Sequence, residues 1–469
     1  MEKRRIVFPG REKRGVLQGA SRTGKRGAPL SCLGGRHVIL GSHGTRIRGL
    51  WVILEGRPVT ALRSINQDDL RNHNLSVIID TILRSPMPLS RADLAKATGL
   101  TKATMSLLGA LLLKNRVVRE GNPETSQITY GRPSTPLAIS HGCWAGVGLQ
   151  INTDGYGCLA MDLDGSLIDS AWVHDDMHEA RPDHVFSSLD ALVRPLEAKL
   201  KRKRYRVVGT GLALPGLVTD DMTLLMARNL GWERLDLSRF DLVQRLDPIA
   251  GNEARLAALS QIPGYATQRS TGGGNDLLGP TDSFLYISTD IGIGGAVVRH
   301  GAIEAGDHGF AGELGHASVD LNGPTCRCGR RGCLETYAGR KALVEAAGIA
   351  AGSEALSSQA MDELYRRWQQ DDPKAVDAID RGVDAMISVI ATAINIVDVD
   401  TVILGGFWSN FGGDLAQRLQ NRLNQLTLGR DAVHVRVLIP SRTPNPALSG
   451  AALIGLRRFI DNPLGFFDD

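Results

Sequence analysis

The chain has 469 residues, 42% of them hydrophobic and 22% charged, with a formal net charge of +4. That composition is ordinary for a globular protein with room for roughly two to four domains. No apolar run reaches the roughly 18 residues of a membrane span, and no leader-like apolar segment opens the chain, so a cytoplasmic protein without membrane partners is expected. The charge is unevenly spread. Residues 1–64 hold 14 Lys/Arg against 3 Asp/Glu, a net charge of +11, which leaves −7 for the remainder. This head is rich in Gly, Arg and Ser and shows no sustained period. It is expected to be a disordered basic extension, either an arm attracted to DNA phosphates or an upstream stretch with no fold of its own.

Residues 65–140 form the first predicted domain. Asn72 to Arg84 carries apolar residues at helical spacing. Ser90 is placed to cap a second helix, SRADLAKAT, with Asp93 closing a capping box. A third helix runs from Thr101 to Lys114. Counted from Arg91, Ala95 falls at the fifth place and Gly99 at the ninth, with Leu94, Leu100, Met105 and Leu108 at the apolar places. A small residue lets two helices cross closely and a glycine makes the left-handed turn between them, which is the helix-turn-helix pattern. A plain three-helix bundle could share it. The exposed start of the third helix offers Thr101, Lys102, Thr104 and Ser106, short donors and a cation suited to phosphates and base edges, with Arg91 beside them. Val117 to Ile139 reads as two short strands around a polar turn, a wing. Arg132, held between Gly131 and Pro133, could enter a narrow minor groove or bridge the wing to the body.

Residues 141–264 read as strand, strand, helix, strand. GVGLQI and CLAMDLDGSLI suggest a hairpin, Asp183 to Arg204 a helix, and VVGTGLALPGLV a buried strand ending at Gly216. A second α/β segment, 265–445, begins with FLYISTDIGIGGAVV and includes helices over 338–347 and 377–397. A final helix over 446–460 is expected to pack back on the first segment.

The densest signal is Gly312 to Glu335, GELGHASVDLNGPTCRCGRRGCLE. His316, Cys326, Cys328 and Cys333 make a Cys₃His set, which tetrahedral Zn²⁺ takes in closed structural sites. Gly323, Pro324, Gly329 and Gly332 supply the turns. The alternative is a disulfide with a spare thiol, which a reducing compartment and the density of the knot disfavour. Cys32, Cys143 and Cys158 show no pairing pattern. Glu313 and Glu335 flank the knot and would stand near one another, either facing a hydroxyl-bearing ligand or bracing the metal loop.

G-E-x-G-H followed by C-x-C-G-x-x-G-C-x-E resembles the signature of the ROK family, which holds bacterial repressors and sugar kinases. The resemblance covers roughly residues 66–460 and includes SRADLAKATGLTKATMS and the GRP tripeptide, which are similar to the DNA reader of the repressor branch. It implies an α/β protein: an N-terminal winged helix-turn-helix followed by a two-lobed, actin-like body of the sugar-kinase type. It also implies that Gly216, Asn252, Glu253, Glu313, His316 and Glu335 occupy sugar-holding positions. Kinases of the family carry Asp-x-Gly-Gly-Thr on the first hairpin, Gly-Thr-Gly-x-Gly on the second phosphate loop, and Asn-Asp at the base. Here those places read Gln150-Ile-Asn-Thr-Asp154, Ser288-Thr-Asp-Ile-Gly292 and Asn252-Glu253. The Mg²⁺-directed carboxylate and the close-approach glycines are gone, Asp290 opposes triphosphate, and the base is one methylene longer.

Asn-Glu is similar to xylose-type repressors. The expectation is therefore a DNA-binding regulator with structural Zn²⁺ that senses a sugar without phosphorylating it and has no catalytic residues. It would read a palindromic operator on double-stranded DNA as a homodimer or homotetramer. An active ATP-dependent sugar kinase with an appended reader, or a regulator that docks a phosphotransfer protein, are the rivals.

Overall fold

The computed structural model describes residues 66–121, 135–177, 180–267, 278–440 and 445–467. The basic head and Arg132 lie outside them.

The chain begins with α1 (Gln67–Arg84), β1 (Leu89–Ser90), α2 (Arg91–Thr98) and α3 (Lys102–Lys114), then β2 (Val118–Glu120) and β3 (Pro136–Ile139). Ser90 accepts from the Asp93 amide, and Asp93 returns the bond, so the capping box that the sequence predicts is formed. Gly99 ends α2 at φ 74°, the left-handed turn a helix-turn-helix needs. α1 begins five residues earlier than its apolar periodicity suggests, because Asn66 and Asp69 build a second capping box ahead of the buried face. The three short strands pair in the order β1-β3-β2 and back the helices as a winged helix-turn-helix.

The first lobe runs β4 (Trp144–Asn152), β5 (Gly155–Asp162), β6 (Leu167–His174), α4 (Pro182–Arg202), β7 (Arg206–Leu214), β8 (Leu217–Val218), β9 (Thr223–Ala227), β10 (Trp232–Asp236), α5 (Asp241–Leu246), β11 (Ile249–Asn252) and α6 (Glu253–Leu259). The second runs β12 (Phe284–Thr289), β13 (Ile293–Arg299), β14 (Ala302–Glu304), α7 (Glu335–Ala338), α8 (Arg340–Ala346), α9 (Ser358–Gln369), α10 (Pro373–Val397), β15 (Thr401–Leu404), α11 (Gly412–Leu426) and β16 (Arg436–Leu438). The expected helix over 338–347 is broken in two by Gly339, whose backbone is extended.

The lobes repeat one plan. Their sheets have the orders β11-β7-β4-β5-β6 and β16-β15-β12-β13-β14. In each, three antiparallel strands are extended by two parallel ones. A parallel partner requires a crossover, which puts helices on the faces and leaves the strand ends to line a cleft.

The last helix, α12 (Pro446–Asp461), lies on the first sheet, as expected. It comes unusually close. A Cβ on Gly148 would sit 2.3 Å from the Leu448 carbonyl oxygen, and one on Gly211 would sit 2.2 Å from that of Ala451. Only glycine permits that approach of helix backbone to sheet.

The winged helix-turn-helix, the candidate DNA reader of the sequence analysis, shares a core with this helix. Trp144 stacks on Phe459 at 4.6 Å, among Leu75, Ile79, Leu112 and Ile139 from the reader. α1 is also pinned by polar contacts at its C-terminal end. Asp80 pairs with Arg457 of α12 at 2.5 Å, and Arg84 pairs with Asp80 at 2.7 Å while donating to the Pro280 carbonyl at 2.6 Å, just before β12. One helix of the reader thus holds elements leading into both lobes.

Candidate functional site

The knot assembles from residues scattered over 18 positions because a few backbone turns fold it back. The Cys326 amide donates to the Arg330 carbonyl at 2.8 Å, and the Val319 amide donates to that of Gly332 at 2.8 Å. Gly332 has φ 63°, and a Cβ there would strike the Asp320 carbonyl oxygen at 1.7 Å. The result brings the ligand atoms of His316, Cys326, Cys328 and Cys333 within 4.8 Å of one another. The Cys328 and Cys333 sulfurs are 3.6 Å apart, and Cys326 sulfur is 3.6 Å from His316 Nδ1. A disulfide needs about 2.05 Å between sulfurs. Tetrahedral bonds of about 2.3 Å to sulfur and 2.0 Å to nitrogen place neighbouring donors about 3.6–3.8 Å apart. The donor set therefore fits zinc and does not fit a disulfide. His316 turns Nδ1 to the thiols, which puts Nε2 on the opposite side of the ring.

Glu313, His316, Glu335 and Arg255 of α6 act on one another electrostatically; burial raises the Glu313 carboxyl above the usual range, against the pull of His316 and Arg255. Glu335 accepts from the Ile293 amide at 3.3 Å. A Cβ on Gly292 would lie 2.7 Å from the Glu335 carboxylate and 3.5 Å from the Asn229 side chain, so the bare glycine leaves room for both side chains. Asn229 in turn accepts from Arg327 of the knot at 3.3 Å, and Arg255 donates to the Gly309 carbonyl at 2.7 Å. These two bonds tie the lobes across the cleft. Arg255 and Arg327 were not singled out from sequence; no local motif marks a residue whose partner is supplied by the other lobe.

Asn252 caps α6, accepting from the Ala254 and Arg255 amides, and donates to the Gly216 carbonyl at 3.0 Å. Its acceptor is thus committed to the helix, and its amide fixes the loop at Gly216, where φ is 96° and any Cβ would meet Met226 backbone at 1.9 Å. Asn252 shapes the cleft more than it faces into it.

Glu253 falls in a different group from Glu313 and Glu335. Gln150 on β4 lies beside its carboxylate, and Asp154 and Asp290 are its charged neighbours. Burial, then the fields of Asp290 and Asp154, push Glu253 up to about 8. Asp290 is bridged by Arg340 at 2.6 Å and keeps 37% of its side-chain surface open, so solvent reaches this part of the cleft. The two loops that differ from the kinase pattern therefore meet in space. Gln150, Asp154, Asp290 and Arg340 occupy the ground that the resemblance assigns to nucleotide phosphates.

In the reader, Thr101 caps α3 and its hydroxyl contacts that of Thr104 at 2.9 Å. Arg91 is bridged to Glu120 of β2 at 2.8 Å. Lys102 and Ser106 are exposed and share their face with Ala103, Leu107 and Ala110. Leu107 is 65% exposed, on a helix that buries Met105, Leu108 and Leu112. The sequence reading passed over it as one leucine among many.

These features have clear relatives. The ROK family model matches residues 158–458. The chain is 28% identical over 281 residues to the xylose repressor of Bacillus subtilis, covering 60% of this chain and 69% of that one. It is 26% identical over 381 residues to the xylose repressor of Caldicellulosiruptor bescii, covering 77% and 89%. It is also 29% identical over 317 residues to N-acetylmannosamine kinase of Escherichia coli, covering 63% and 97%. Among solved structures, a ROK family transcriptional regulator homologous to the E. coli MLC protein matches with a TM-score of 0.67 at 22% identity. That match covers 84% of this chain and 98% of that one, which supports the shared fold. The protein is a member of the ROK family, with a winged helix-turn-helix joined to a sugar-kinase-type body.

Proposed function

We propose that this chain is a sugar-responsive transcriptional repressor that binds its effector without phosphorylating it. The observation that carries the reading is the state of the phosphate ground. A phosphotransferase needs backbone donors and a metal-directed carboxylate there. This chain instead sets Gln150 where the carboxylate would stand and brings Asp154 and Asp290 against Glu253. Triphosphate would meet like charge in a partly closed cleft. The group around Glu313, His316 and Glu335 keeps acceptors for sugar hydroxyls. Zn²⁺ held by His316, Cys326, Cys328 and Cys333 would brace that wall; its role is structural.

The reader would place α3 in the major groove, with Lys102 and Ser106 as polar contacts and Thr101 and Thr104 chiefly as the cap. Arg91, bridged to Glu120, would position the wing. A two-fold dimer on a palindromic operator suits this docking mode. Sugar binding would act through lobe closure, felt by α1 at Asp80 and Arg84. The effector must then bind the two lobe arrangements with different affinity.

The test is a thermal melt against a sugar panel beside ATP turnover on the same sugars. A sugar at about 100 times its Kd should add roughly 2.7 kcal/mol. A shift without turnover supports the reading. Turnover that Glu253→Ala abolishes would establish the kinase reading, for which the N-acetylmannosamine kinase similarity is the precedent.

A further inference from the structure

The acid group around Glu253 has an unmet hydrogen bond at its centre. Gln150 is only 5% exposed, and its Oε1 has no partner. Its side chain lies beside Glu253. A buried acceptor left unmade costs about 1–3 kcal/mol. The groups facing it come from four elements: Gln150 from β4, Asp154 from the turn after β4, Glu253 from the start of α6, and Tyr286 with Asp290 from β12 and the residue just beyond it. Among the described residues the cation bonded to this group is Arg340 of α8, whose two terminal nitrogens go to Asp290 and to the Leu356 carbonyl while its Nε has no partner. The carboxylates of Asp154 and Asp290, the carboxyl of Glu253 and the orphan acceptor, with one bonded cation among them, call for a further positive donor.

We propose that the effector is an amine-bearing sugar, with its ammonium seated among Gln150 Oε1, Glu253, Asp154 and Asp290. The proposal rests on the sugar-binding reading above and names the ligand class for that cleft. An ammonium brings three N–H donors, which suits several acceptors at once. A bare metal ion suits the site less well. Among the described residues, the sets of three or more acidic, His or Cys ligand atoms within 4.8 Å of one another are the Cys₃His knot and His141–Asp162–Asp164. Asp154, Glu253 and Asp290 do not form such a set. A sugar phosphate would meet the same repulsion as triphosphate.

The experiment is a melt and calorimetric titration of the full-length chain with matched ligands. Glucosamine, galactosamine and mannosamine are each compared with the parent sugar, its N-acetyl derivative and its 6-phosphate; Ca²⁺ and Mg²⁺ are run alone. A free amine should bind at least tenfold more tightly than its neutral parent and its N-acetyl form. Asp154→Asn should narrow that ratio, whereas a purely structural role for Asp154 would weaken all ligands equally. Neutral or acetylated sugars binding as well as the amine would overturn the proposal and leave the sugar-sensing reading standing. So would a preference for the phosphate, or a metal-induced shift that Asp154→Asn removes. No response to any sugar would overturn both.

Discussion

Arg457 gives the sharpest test of how the reader is fastened to the body. Its side chain is 9% exposed, and it bonds Asp80 at 2.5 Å, Asp461 at 2.9 Å and the Tyr265 carbonyl at 3.0 Å. Replacing it with methionine keeps much of the volume but strands Asp461 and leaves Asp80 to Arg84 alone. Breaking a buried pair costs about 3–5 kcal/mol. Asp80 and Asp461 are 27% and 30% exposed, so water relieves part of that, and the lower end, about 3 kcal/mol, is the expected loss. The loss should depend on pH. Burial already raises the Asp461 carboxyl despite the pull of Arg457. Without Arg457 it rises further, so the folded state favours the protonated form more strongly. The variant's penalty should therefore be smallest in acid and grow as pH rises through the Asp461 range. Urea unfolding at pH 5 and pH 7 measures this. Asp80→Asn in a double-mutant cycle should show a coupling above about 1 kcal/mol. A loss under about 1 kcal/mol with no coupling would refute the claim that this network clamps α1.

Three further outcomes are expected. Cys333→Ser should abolish stoichiometric zinc measured by metal analysis, and a chelator should lower the melting point of the wild type but not of the variant, because metal binding and folding of the knot are linked. Glu253 is pushed up to about 8, so the folded state holds its proton more tightly than the unfolded chain. Stability should fall as pH rises from about 4.5 through about 8, and Glu253→Gln should flatten that slope in denaturant titrations. Leu107→Ala should change stability by less than about 0.5 kcal/mol, since the side chain is 65% exposed, yet weaken operator binding in a gel-shift assay.

Much of the site was legible from local chemistry. The four-ligand set could be read because zinc ligands in tight knots lie close in sequence, and His316 to Cys333 spans one turn-rich loop. The Ser90–Asp93 box and Gly99 were legible for the same reason: caps and left-handed turns are set by residues within three or four positions. The departures at Gln150, Asp290 and Glu253 were legible one at a time against the kinase pattern. Their meeting was not, since β4, α6 and β12 are joined only by tertiary packing.

The sequence by itself determined the Cys₃His set, the helices of the winged helix-turn-helix and the departures from the phosphate-loop pattern, because each depends on spacing along the chain. Only the tertiary structure decided that the acids divide into two groups, one beside the knot and one around Gln150. It alone showed that Arg327 and Arg255 tie the lobes, that the two lobes repeat one sheet order, and that α1 is held by Arg457. These are contacts between residues up to 377 positions apart. Their partners are chosen by which strands and helices pack together, and local propensity carries no record of that choice.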